Sequence, residues 1–185
     1  MKIEMINWNL YSIDDIFCKL SREYFAKVDY LIAGYNYLTT LHGFNHITDT
    51  IIMNHNELTS LEGGPKKLKR LTVSHNRFLT NLKHIPLLIE SFDFSECHRL
   101  LDISDIFDSN INSVMVTITD RTAILPLIKF DCKFNSNRLS RWESQFILKK
   151  LLNKHHGSQK ENIINFQLDL IENGFEQNAR WKPIK

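Results

Sequence analysis

The stretch NELTSLEGGPKKLKRLTVSHN, residues 56–76, begins and ends on asparagine and carries four leucines in between. Its neighbours repeat the spacing. Leu68, Leu71, Val73, Asn76 and Phe78 fill the frame L-x-x-L-x-L-x-x-N-x-L. Thr48, Ile51, Met53, Asn56 and Leu58 fill it one copy earlier, and Val28, Leu31, Ala33, Asn36 and Leu38 one copy earlier still. Downstream the copies loosen. Ile89, Phe92, Phe94 and Cys97 continue the frame, with the next apolar residue displaced to Leu100. Ile111, Val114 and Val116 follow, with Thr119 at the asparagine place, and then Leu127, Phe130, Cys132 and Asn135. The successive spacings are 20, 20, 21, 22 and 16 residues. A fixed period of this length marks a stack of similar coils, each one supersecondary unit.

Elementary geometry accounts for the frame. Alternate side chains of a strand face opposite ways, so Leu71 and Val73 are expected inward and Arg70, Thr72 and Ser74 outward. One coil leaves its own apolar face bare, whereas stacked coils bury each other's. Where the chain leaves each strand, backbone polar groups enter the interior and need partners. The amide of a buried asparagine offers two donors and one acceptor, so Asn36, Asn56, Asn76 and Asn135 are expected to form a structural ladder. A second apolar beat at Leu41, Leu61, Leu82 and Ile103 marks the return side of each coil. Gly43 and Gly63 share a phase there that fits a tight bend.

The pattern resembles the leucine-rich repeat family over roughly residues 28–139, and the wording LTSLEGGPKKL is similar to short repeats encoded by tailed bacteriophages and related bacteria. The resemblance implies an α/β fold, a leucine-rich-repeat solenoid with a parallel sheet on its concave face. It also allows cysteine at the ladder place, so Cys97 is read as structural. It further implies a non-catalytic protein-binding module, and the phage wording implies a partner in the host cell, such as a defence factor that is inhibited or redirected in the host cytoplasm.

Three segments are expected: an N-terminal cap of strand and helix over 1–27, the solenoid over 28–139, and a helical hairpin with a basic tail over 140–185. In the first, Ser12 and Asp15 form a capping box before an apolar face of Ile13, Ile16, Phe17, Leu20 and Tyr24, after an irregular strand holding Ile3, Ile6 and Trp8. In the last, Ser140 with Glu143 and Ser158 with Glu161 start two helices that stop at Gly157 and at Asn173-Gly174. The second helix carries Ile163, Ile164, Leu168 and Ile171 on one apolar face. Trp181 among Arg180, Lys182 and Lys185 reads as a docking tail or a frayed end.

Composition bounds the function. With 43% hydrophobic and 24% charged residues the composition indicates neither disorder nor a membrane protein, and the opening does not read as a signal peptide. Cys18, Cys97 and Cys132 are too irregularly spaced for a disulfide framework or a zinc site, so reduced thiols and a cytoplasmic location are expected. The net charge of +2 is small for nucleic-acid binding, although residues 141–185 hold 8 Lys/Arg against 5 Asp/Glu and keep that alternative open through the tail.

The candidate contact surface is the outward side of the strands. One column reads Tyr30, Thr50, Arg70, Ser91, Ser113, Lys129; the next reads Ile32, Ile52, Thr72, Asp93, Met115, Asp131. Strands ~4.8 Å apart make this surface about 24 Å long, the scale of a protein interface. Outward isoleucines add nothing to the core, so an apolar contact patch is expected around Ile32 and Ile52. A third column, Tyr35, His55, His75, Glu96, reads as polar contact, a pH-sensitive interface or a metal site; no fourth ligand is evident, and no metal or cofactor is assigned. GGPKKLKR, residues 63–70, lacks the phosphate-loop pattern and reads as a solvated basic patch, with an acidic partner as the alternative. No G-x-S-x-G occurs, and His42 and His46 lack the glutamate of a zinc helix. An enzyme is therefore not expected. The competing class is a virion assembly component, and either a monomer or a small oligomer fits.

Overall fold

The computed structural model describes residues 1–100, 103, 105–106, 110–116, 131–134, 150–155, 160–176 and 178–179. Among these residues seven strands lie in one sheet in chain order: β1 (Lys2–Glu4), β2 (Tyr30–Ile32), β3 (Thr50–Ile52), β4 (Lys67–Thr72), β5 (Leu88–Asp93), β6 (Asn110–Val116) and β7 (Asp131–Phe134). Every adjacent pair is parallel, so the chain advances one strand per circuit and builds a solenoid. The pairings Leu31–Ile51, Ile51–Leu71, Leu71–Phe92 and Phe92–Val114 follow the frame of the sequence. All five of these residues are buried, as is the second inward row of Ala33, Met53, Val73 and Phe94. Leu41, Leu61, Leu82 and Ile103 close the core from the return side. Each buried leucine contributes about 1.5–3 kcal/mol by leaving water, and only the adjacent coil makes that burial complete. No helix among the described residues is long and apolar enough to cross a membrane.

The first coil differs from expectation. Ile3 pairs with Leu31, which sets the inward parity at Ile3 and Met5; Ile6 is therefore outward and exposed. The expected single helix is two. The first, α1 (Ile13–Phe17), carries the Ser12–Asp15 capping box, and α2 (Arg22–Phe25) restarts from a second N-cap at Ser21. The restart shifts the phase, so Phe25 is buried and Tyr24 is exposed. Both helices lie in the connection between β1 and β2, within the first coil, and β1 forms one edge of the sheet.

Three further frame positions move. Ahead of β3 the buried residue is Ile47, and Thr48 is exposed. After Asn76 the buried residue is Leu79, while half-buried Phe78 lies under Arg77 and Arg99. In the last coil Val114 pairs with Cys132, which sets Asp131 beside Ser113 and Lys133 beside Met115. The sequence columns had placed Asp131 beside Met115. An even slip preserves the alternation of inward and outward side chains, so hydrophobic pattern alone does not separate the two registers. Asn135, Lys129, residues 140–149 and the tail 180–185 lie outside the described residues.

At the C-terminal side, residues 150–154 are helical and α3 spans Lys160–Glu172. Phe166 and Leu170 join Leu151 and Leu152 in the core, while Ile164, Leu168 and Ile171 of the apolar face named from the sequence are exposed. Asp169 joins the two helical segments, with Lys154 Nζ at 2.6 Å and His155 Nε2 at 2.7 Å, and these partners hold its carboxyl below the usual range. Gly174, at φ +80°, ends α3: its N–H donates to Ile171 O and the Phe175 N–H to Leu170 O. This is the paired closure that a left-handed glycine permits.

Candidate functional site

The turn after each strand is built from the ladder residue. Asn56 Oδ1 accepts from the Leu38 N–H at 3.1 Å, and its Nδ2 donates to Ala33 O at 2.9 Å in the preceding coil and to Met53 O at 3.2 Å in its own. Asn36 repeats this with the Leu10 N–H, Met5 O and Ala33 O, and Asn76 with the Leu58 N–H, Met53 O and Val73 O. All three side chains are buried. Cys97 stands in the same place, its thiol donating to Val73 O at 3.3 Å. Burial, with the nearby charges of Asp93 and Glu96, pushes that thiol up to about 12, which makes it a poor nucleophile. Among the described cysteines Cys18 is the exposed one.

The residue before each ladder position is dictated by the backbone. Tyr35, His55, His75 and Glu96, and Asn7 at the equivalent place after β1, all have left-handed φ between 54° and 60°. The N–H groups of Tyr35, His55 and His75 each reach across to the next coil, donating to Asn54 O, Ser74 O and Ser95 O. Non-glycine residues in this region cost about 1–3 kcal/mol unless the surroundings hold them. Here ring stacking contributes: Tyr35 and His55 lie 4.3 Å apart at 11°, and His55 and His75 4.1 Å apart at 10°. Burial and the neighbouring His75 hold the His55 imidazole below its ordinary value.

The row ends differently from its sequence reading. Glu96 is 3% exposed, with its carboxylate 3.3 Å from His98 Nε2, so it offers no contact to a partner. Nor does the row converge on a metal. Imidazole lone pairs lie in the ring plane, so parallel stacked rings point them alongside one another, and among the described residues no three His, Cys, Asp or Glu side chains are grouped to hold an ion.

On the outward sheet, Ile32 pairs with Ile52 and both are half-buried. Thr72 and Asp93 continue their row, Asp93 accepting from the Ser95 N–H at 2.9 Å and the Ser95 hydroxyl at 2.6 Å. Lys2 Nζ sits 5.3 Å from the centroid of the Tyr30 ring, Thr50 is buried, and Arg70 is exposed. For Met115 and Asp131 the structure fixes the strand register, which separates them. Sequence reasoning missed a second ring stack, Tyr11 on Tyr37 at 4.8 Å and 12°, both exposed. Its members lie outside the strand columns.

No protein-family model, curated protein or solved structure matches the chain.

Proposed function

We propose that the chain is a leucine-rich-repeat protein that recognises another protein, without catalysis, through the outward side of its sheet. The observation that supports this reading is the pair Ile32 and Ile52, which lie in register and half-exposed on a rigid face while adding nothing to the core behind them. The Tyr35–His55–His75 stack borders them with exposed ring edges, and apolar anchors beside aromatic rings are what interface centres are made of. The phage-like wording of residues 58–68 makes a host-cell protein the partner class.

The test is capture of a partner from host extract by the wild-type chain and by the Ile32→Arg, Ile52→Arg double variant. Two desolvated arginines in an apolar contact are expected to weaken capture by at least about tenfold, with an unchanged circular dichroism spectrum. Equal capture by both chains would sink the proposal.

A further inference from the structure

Strands β4 and β5 start earlier in register than β3. Lys67 already pairs with Leu88, whereas the β3–β4 pairing begins only at Thr50 and Arg70. The sheet therefore has a step beside residues 45–48. The frame's apolar place in this coil is Thr48, which is exposed, while its neighbour Ile47 is the residue that enters the core. Three adjoining hollows result, of about 610, 420 and 230 Å³. The first two share Thr48 and Lys67, and the last two share Lys69 and Glu90, so they follow one another as a segmented trough from the glycine bend to the sheet face. The bend itself is fixed: a Cβ on Gly63, at φ +78°, would lie 2.5 Å from His42 Nδ1.

The charges along this trough are unevenly matched. Lys69 is joined to Asp49 at 3.4 Å, while none of the ion pairs among the described residues engages Lys66, Lys67 or Arg70. Glu90 is the other carboxylate that lines it. Leu88, on the wall of the middle hollow, and its neighbour Leu87 are 47% and 63% exposed. We propose that the trough is a docking surface for an extended acidic segment of another protein, its carboxylates set against Lys66 and Lys67 and a leucine-sized side chain set against Leu87 and Leu88.

Charge complementarity selects this occupant. An extended peptide alternates its side chains, so it can place acids beside the lysines and apolar groups beside the leucines while keeping its charges away from Asp49 and Glu90. A nucleic acid carries an unbroken row of phosphates past those carboxylates and gains most from open aromatic faces. Two aromatic rings line the trough: Tyr30, over which Lys2 already lies, and the His42 imidazole, 4.0 Å from the Glu62 carboxylate. The sheet end of the trough shares Tyr30, Thr50, Arg70 and Ser91 with the outward face but not Ile32 or Ile52, so variants at Lys66 and Lys67 test this inference separately from the sheet-face reading.

The test uses a fluorescein-labelled decapeptide of glutamates with a central Leu-Leu pair, titrated with the full chain at low salt and followed by anisotropy. The Lys66→Glu, Lys67→Glu variant, altered only at exposed positions, is expected to bind at least about tenfold more weakly, and the all-glutamate decapeptide about fivefold more weakly than the leucine-bearing one. In the nitrogen-15 spectrum the largest shifts are expected at the amides of Lys67–Lys69 and Leu87–Glu90. Unchanged binding by the charge-reversed variant, shifts centred elsewhere, or tighter binding of a thymidine decanucleotide would each overturn the proposal.

Discussion

The turn that precedes the coil of Asn56 and the turn that precedes the coil of Cys97 sit in the same stack, yet they differ in one hydrogen bond and one residue of length. In the first, the Leu38 N–H donates to Asn56 Oδ1, and the buried residue comes two places after the ladder position Asn36. In the second, the Cys97 thiol reproduces the asparagine's donation to the preceding coil but brings no amide oxygen to accept. The preceding turn closes on itself instead, the Leu79 N–H donating to Asn76 O at 3.2 Å, and the buried residue comes three places after Asn76. The extra residue falls between Asn76 and Leu82, and it accounts for the 21-residue spacing that follows two of 20. A ladder side chain thus shapes the turn one coil behind it, and a substitution there alters the backbone of its neighbour.

The largest expected effect breaks the regular side. Asn56→Ala leaves the buried Leu38 N–H without an acceptor, and one such orphan costs about 1–3 kcal/mol, so urea unfolding is expected to show a loss of about 2–3 kcal/mol. Cys97→Ala removes a donor from Val73 O, which still receives Asn76 Nδ2 at 2.8 Å. The expected loss there is roughly 1 kcal/mol. Equal losses at the two positions would mean that the amide oxygen has no special part in the turn.

The smallest expected effect concerns the ring row, which runs beside the asparagine coils and stops at Glu96. The folded-state value of His55 lies below its free value of 6.5, so the folded chain takes up that proton less readily than the unfolded chain. The His55 contribution is therefore intact above pH 6.5 and is lost as pH falls from there through the lower folded-state value. Urea midpoints measured across that window are expected to fall less steeply for His55→Gln than for the wild type. Identical slopes would show that the stack does not resist protonation.

The contrast between the coils also explains what was legible beforehand. The inward rows follow from the period, because each leucine is buried only if its copy in the next coil is. Parity survived where two copies pair in register, as at Leu31, Ile51 and Leu71, and failed to fix the last coil because a slip of two keeps the same faces. The row Tyr35, His55, His75, Glu96 was visible as a column, but periodicity says nothing of φ, and so the turn geometry that stacks the rings and buries Glu96 stayed hidden. Helix α3 carries apolar residues around more than half its circumference, and the choice of Phe166 and Leu170 over Ile164 and Leu168 was made by packing. The trough left a trace in the sequence, a threonine at position 48 where its copies carry valine and leucine. Its depth depends on the late start of β3, which no spacing records.

The most direct measurement is of scalar coupling across the ladder hydrogen bonds in a deuterated, carbon-13 and nitrogen-15 labelled chain. The account predicts resolvable couplings from the Leu38 and Leu58 amide nitrogens to the side-chain carbonyl carbons of Asn56 and Asn76. It predicts that the Leu79 amide couples to the backbone carbonyl of Asn76. Leucine amides that couple to backbone carbonyls in all three turns would contradict it.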